Sequence, residues 1–128
     1  MIREEKMNME CKKFKYKSHK NCTFEVGNYL YNKQAMSIQI VNKEEGDIAT
    51  CTVNMPDYMY YENTTAIKNY NENSGMTQFL IDLDVIDCIL TKRKCNMYCG
   101  NDETIDFCEI NVDELKKYSS VFEYKYEF

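Results

Sequence analysis

Seven cysteines, one histidine and a few closely spaced carboxylates are the side chains of this 128-residue chain with the types and spacing to do chemistry. Cys95 and Cys99, separated by three residues and flanked by Cys88 and Cys108, offer four thiolates to a zinc ion, and Lys92, Arg93 and Lys94 would favour the ionised sulfurs. The spacing departs from the paired short knuckles of structural zinc sites, and Cys88 and Cys108 alternate with their neighbours as small core residues do. Zinc is therefore the alternative reading, and the primary expectation is no cofactor. Cys11 and Cys22 flank a predicted hairpin that holds His19, a weaker metal grouping still. Catalysis has less to stand on. His19 lies in a Lys-flanked polar turn, and no Gly-rich phosphate loop, nucleophile elbow or His-Glu metal motif occurs in the sequence. Asp82 and Asp84 are two apart, so on a helix they point to different faces. No catalytic residue is predicted, and the expectation is a protein that is not an enzyme.

Binding chemistry is better represented. Around Pro56 the chain changes from alternating strand to an acidic run rich in Tyr and Met: Asp57, Tyr58, Met59, Tyr60, Tyr61, Glu62. Large, adaptable side chains of this kind dominate binding hot spots. With Glu44, Glu45 and Asp47 they predict an acidic, aromatic-anchored surface, whose carboxylates would steer it to a basic groove and whose rings would hold it there. The expected partner is a protein, a nucleic-acid-binding effector nuclease whose groove such a surface would occupy.

The charge distribution agrees. Residues 1–20 carry seven Lys/Arg against three Glu, which leaves nine basic and eighteen acidic groups in the rest of the chain. A body so acidic repels phosphate, so direct DNA binding is not expected. Residues 1–10 read as a frayed tail without the apolar stretch of a secretory signal, and no run is apolar enough for a membrane span. The expected location is the cytoplasm, with the odd number of cysteines remaining as thiols.

These residues require a scaffold, and hydrophobic periodicity supplies one. Phe14 and Tyr16, then Cys22, Phe24 and Val26, then Met36, Ile38 and Ile40, then Ala49, Cys51, Val53 and Met55 each alternate with polar neighbours. They predict a four-stranded antiparallel meander with one apolar face. Residues 64–74 read as an Asn-rich loop. Ser74 is the expected N-cap of a helix in which Met76, Phe79, Leu80 and Leu83 form one face, and Asn111 with Glu114 has the form of a second helix start. Strands are expected at 85–90 and 105–110, with a loop at 91–103. The alternation in residues 121–128 predicts a last strand that closes a sheet edge or lends it to a partner, including a second copy of the chain. The fold expected is a single α+β domain over residues 1–128, a twisted antiparallel sheet with two short helices packed on one face.

The stretch GDIATCTVNMPD, with Asn69 to Asn73 and Met76 to Leu83 after it, resembles a family of small uncharacterised proteins of conjugative elements and phages of gut bacteria. The pattern A-T-x-T-V-N-h-x-D followed by an Asn-rich loop and short helix carries the resemblance over about three quarters of the chain. Residues 87–106 and the segment after Tyr118 depart from it. The resemblance implies a mobile-element or phage role, and inhibition of a host CRISPR effector nuclease is the specific function expected by analogy. The alternative is a structural or adaptor protein of a mobile element, zinc-stabilised or homodimeric.

Overall fold

Residues 36–50 fold as their alternation demands: β3 (Met36–Asn42) and β4 (Gly46–Thr50) pair antiparallel, with Met36, Ile38 and Ile40 buried. Asn42 Oδ1 accepts from the amides of Glu44 and Glu45, and Gly46 takes the positive φ of 84° that the turn needs. The structure, a computed structural model, describes residues 11–32, 34–55, 58–94 and 104–126. β1 (Phe14–Tyr16) and β2 (His19–Asn28) form the preceding hairpin, and β2 runs antiparallel to β3 from Cys22 opposite Asn42 to Asn28 opposite Met36.

The strand expected over residues 48–55 breaks at Cys51. The Cys51 amide donates to Ile38 O in β3, while its carbonyl accepts from the Lys68 amide. The chain thereby leaves the first sheet and enters a second, ordered β5-β6-β8-β7 and antiparallel throughout: β5 (Thr52–Val53), β6 (Thr64–Ile67), β8 (Thr104–Ile110) and β7 (Ile86–Lys94). The α+β class holds, with two sheets where one was expected. β6 falls where a loop was expected, and all four of its residues are buried. A strand covered on both faces shows no polar alternation for a sequence reading to detect.

The two short helices are α1 (Met76–Asp82) and α2 (Val112–Lys117). Ser74 does not cap α1. Gly75 occupies the N-cap at φ 92°, and Asn69 Oδ1 accepts from the Thr77 amide instead. Asn73 Nδ2 reaches back to Thr50 O, so the Asn-rich segment is a bracket tying α1 to β4. Asn111 caps α2 as its sequence form implies, accepting from the Glu114 amide. After α2, β9 (Ser119–Phe122) adds to β2 in parallel, beside the stretch that β1 leaves open.

Met76, Leu80 and Leu115 from the helices join Phe24, Ile38 and Ile40 of the first sheet and Ile67, Cys108 and Ile110 of the second in the larger apolar cluster. A smaller cluster on the other face of the second sheet gathers Ala35, Tyr60, Ala66, Tyr70, Ile105 and Phe107. Full burial of side chains such as Ile38 or Leu80 contributes about 1.5–3 kcal/mol each. Exposed pairs such as Lys68–Glu72 add little, because solvent screens them. The clusters therefore set the fold, and the surface charges are left to other work.

Candidate functional site

The end of the molecule reached by the C-terminal end of β2 carries two loops, described at residues 29–32 and 34–35 and at residues 54–55 and 58–63. In the first, the Tyr29 amide donates to Ala35 O and the Ala35 amide to Asn32 O, which closes a turn around Asn32 at φ 64°. Tyr29 points inward, its hydroxyl 2.7 Å from Thr52 Oγ1, so Leu30 and Tyr31 are left outside, 78% and 81% exposed. Asn54 joins the two loops, with Nδ2 donating to Tyr31 O at 2.9 Å and Oδ1 accepting from Asn32 Nδ2 at 3.3 Å.

The second loop sorts its aromatic run by alternation. Tyr58 is half-buried, stacked on Phe107 with ring centroids 3.9 Å apart and with the Arg93 guanidinium 5.1 Å from its own centroid. Tyr60 is fully buried; its hydroxyl accepts from the Met55 amide at 3.0 Å. Burial, partly offset by that hydrogen bond, pushes its phenol up to about 12. Tyr60 is thus a core residue, which corrects its expected place among the exposed anchors. Met59 and Tyr61 point the other way, 71% and 64% exposed, and Glu62 beside them is also exposed. The backbone beneath them is held: Tyr60 O accepts from Tyr126 Oη, Tyr61 O from Thr64, the Asn63 amide donates to Tyr124 Oη, and Asn63 O accepts from the Ile110 amide. Tyr124 and Tyr126 serve this purpose, leaving the strand to dock on the loop. Anchors on a pinned backbone lose little conformational freedom on binding.

The acidic turn does not belong to this surface. Glu44, Glu45 and Asp47 are exposed, but they lie at the opposite end of β3, and seven strand residues separate the two ends by about 20 Å. There they sit among lysines, with Glu45 Oε2 2.6 Å from His19 Nδ1. The single acidic and aromatic face expected from the sequence is two separate places. Asp57 lies outside the described residues.

Of the four candidate zinc ligands, Cys95 and Cys99 lie outside the described residues. Cys88 stands opposite Glu109 in the β7–β8 ladder, 4.0 Å from its carboxylate, while Cys108 points into the larger cluster on the opposite face of the sheet. Two thiols on opposite faces do not meet at one ion. Burial and the nearby Asp106 carboxylate raise the Cys108 thiol to about 12, and burial raises Cys51 as well. His19 is taken up by Glu45, and Cys11 and Cys22 are buried. No group of three or more His, Cys, Asp or Glu side chains suited to a metal ion occurs among the described residues, and no described helix is long and apolar enough to cross a membrane.

No protein-family model, curated protein or solved structure matches this chain. The site therefore rests on its own geometry: four large apolar or aromatic side chains, Leu30, Tyr31, Met59 and Tyr61, exposed on two loops that Asn54 ties together. Sequence reasoning reached Met59 and Tyr61 and missed Leu30 and Tyr31, which lie beyond the alternation of Cys22, Phe24 and Val26. The available signal was Asn28 and Asn32 bracketing Tyr29 to Tyr31, since asparagine at both borders favours a turn over a continuing strand.

Proposed function

We propose that this chain is a non-enzymatic binding protein whose partner is another protein, engaged through the end that presents Leu30, Tyr31, Met59 and Tyr61. The observation that carries the reading is the exposure of these four side chains on backbone already fixed by hydrogen bonds. Exposed apolar groups scattered singly need no explanation, but four on two tethered loops fit the core of an interface. Tyr and Met supply large contact area and adapt to the surface they meet.

The specific form proposed is a phage or mobile-element inhibitor of a host CRISPR effector nuclease, acting by occupying the surface that the nuclease uses for nucleic acid. This form rests on the mobile-element role expected from residues 46–57, and the separation of the acidic turn from the aromatic end revises its mechanism. Apolar anchoring, and not carboxylates meeting a basic groove, is the contact that holds the partner. The test is capture of purified effector nucleases by the tagged protein and by a Tyr31→Ala/Met59→Ala/Tyr61→Ala variant. Retention of a nuclease by the parent, with affinity lost at least tenfold in the variant, is expected from hot-spot truncation. Failure to retain any nuclease refutes the inhibitor form, and equal retention by both proteins refutes the assignment of the face.

A further inference from the structure

The opposite end of the molecule carries a feature that the aromatic loops do not account for. Residues 11–24 contain five lysines and no carboxylate, within a chain whose net charge is −5. The β1–β2 hairpin folds this run so that Phe14 and Tyr16 enter the core and Lys12, Lys13, Lys15, Lys17 and Lys20 all stay exposed. The β3–β4 turn adds exposed Lys43. Lys13, Lys20 and Lys43 line one cleft of about 440 Å³, together with Ser18, Asn21, Asn42, Glu44 and Glu45.

Most of this charge is uncommitted. Among the described residues, Lys13, Lys15, Lys20 and Lys43 have no carboxylate within ion-pair distance, and Lys17 donates to the Glu72 carbonyl. Of the cleft's two carboxylates, Glu45 is held by His19. Asn42 is spent on the Lys20 carbonyl and the turn amides, whereas the Ser18 hydroxyl and Asn21 amide make no side-chain hydrogen bond among the described residues. Ammonium groups beside free hydroxyl and amide donors are what phosphate oxygens take up in protein–nucleic acid contacts.

We propose that this hairpin end binds the phosphate backbone of a nucleic acid, without regard to base sequence. The proposal is independent of the partner assigned to the aromatic end, which lies about 20 Å away along β3. It confines the expected exclusion of nucleic acid to the acidic remainder of the surface. An anionic membrane is the less suited partner, because interfacial binding needs apolar side chains to insert and the exposed large hydrophobic residues lie elsewhere.

The test is fluorescence anisotropy of a fluorescein-labelled single-stranded RNA titrated with the full chain. Three lysine–phosphate contacts predict about a 20-fold loss of affinity between about 50 mM and about 200 mM salt. In Lys13→Ala/Lys20→Ala/Lys43→Ala the salt slope should flatten by about 0.7 per contact removed. Glu44→Lys should bind more tightly than the parent, which guards against a variant that merely misfolds, and Tyr31→Ala/Met59→Ala/Tyr61→Ala should bind as the parent does. The proposal is overturned by absence of binding at low salt, or by lysine variants that bind like the parent. Competition by polyglutamate as effective as by unlabelled RNA also overturns it, pointing to an acidic protein, as does binding to phosphatidylserine vesicles in preference to RNA.

Discussion

Tyr58, Met59, Tyr60 and Tyr61 are near-equivalent in composition, yet backbone alternation sends the first and third inward and the second and fourth outward. Composition singles out the run for its large, adaptable side chains. The phase of the alternation depended on Phe107 and Met55 being in place to receive Tyr58 and Tyr60, which no local pattern states. The cysteines divide in the same manner. Cys88 is exposed on β7, while Cys11, Cys22, Cys51 and Cys108 are buried, and burial holds all four of those thiols above their ordinary value. The thiolate is the reactive form, so both access and ionisation disfavour the buried set. In the native protein at about pH 8, an aromatic disulfide reagent followed by peptide mass spectrometry should label Cys88 readily and leave Cys51 and Cys108 unlabelled until denaturant is added. Labelling of Cys108 at the rate of Cys88 would contradict the packing described.

At the scale of elements, β7 and α1 are joined through one buried carboxylate. Asp106 on β8 accepts from Thr77 Oγ1 of α1 and from Lys92 Nζ of β7, each at 2.8 Å, and its side chain is almost wholly enclosed. Removing the cation leaves that carboxylate without its charged partner, which costs more than losing an exposed pair. Because Lys92 itself is largely exposed, Lys92→Met should lower stability by about 1–3 kcal/mol in urea unfolding, within the range for a lost hydrogen bond to a charged group. The double variant Lys92→Met/Asp106→Asn should recover part of the loss, because a neutral amide tolerates the site better. Losses in the two single variants that simply add in the double variant would show that the pair is not coupled. Nothing in the sequence signalled this pair, since Lys92 and Asp106 are brought together by a ladder with two irregularities in β7. The β3–β4 hairpin and both helices were legible because their periodicity is local. β6 was not, being buried on both faces, and neither was the parallel pairing of β9 with β2, whose partners lie some 95 residues apart.

At the scale of the molecule the ionisable groups among the described residues fall into two populations, a charged surface and a core whose thiols and phenols are kept protonated. The second population sets a limit on stability in alkali. Cys51 and Cys108 have an ordinary thiol value of 9.0 and Tyr60 an ordinary phenol value of 10.0, while in the folded state burial raises all three, Cys108 and Tyr60 to about 12. As pH rises, the unfolded chain releases these protons first. It therefore binds fewer protons than the folded chain, and stability falls with pH in that interval. The contribution is fully present below about pH 9, declines as the unfolded thiols and then the unfolded phenol ionise, and is lost as pH approaches the raised folded values near 12. The urea midpoint should accordingly drop between about pH 9 and about pH 11. Cys51→Ala/Cys108→Ala, although less stable at neutral pH, should show a shallower decline at the start of that interval, because the two thiols no longer contribute. A midpoint that holds steady to about pH 11, or a decline of the same steepness in the parent and the alanine variant, would mean that the buried thiols are not kept protonated by the fold.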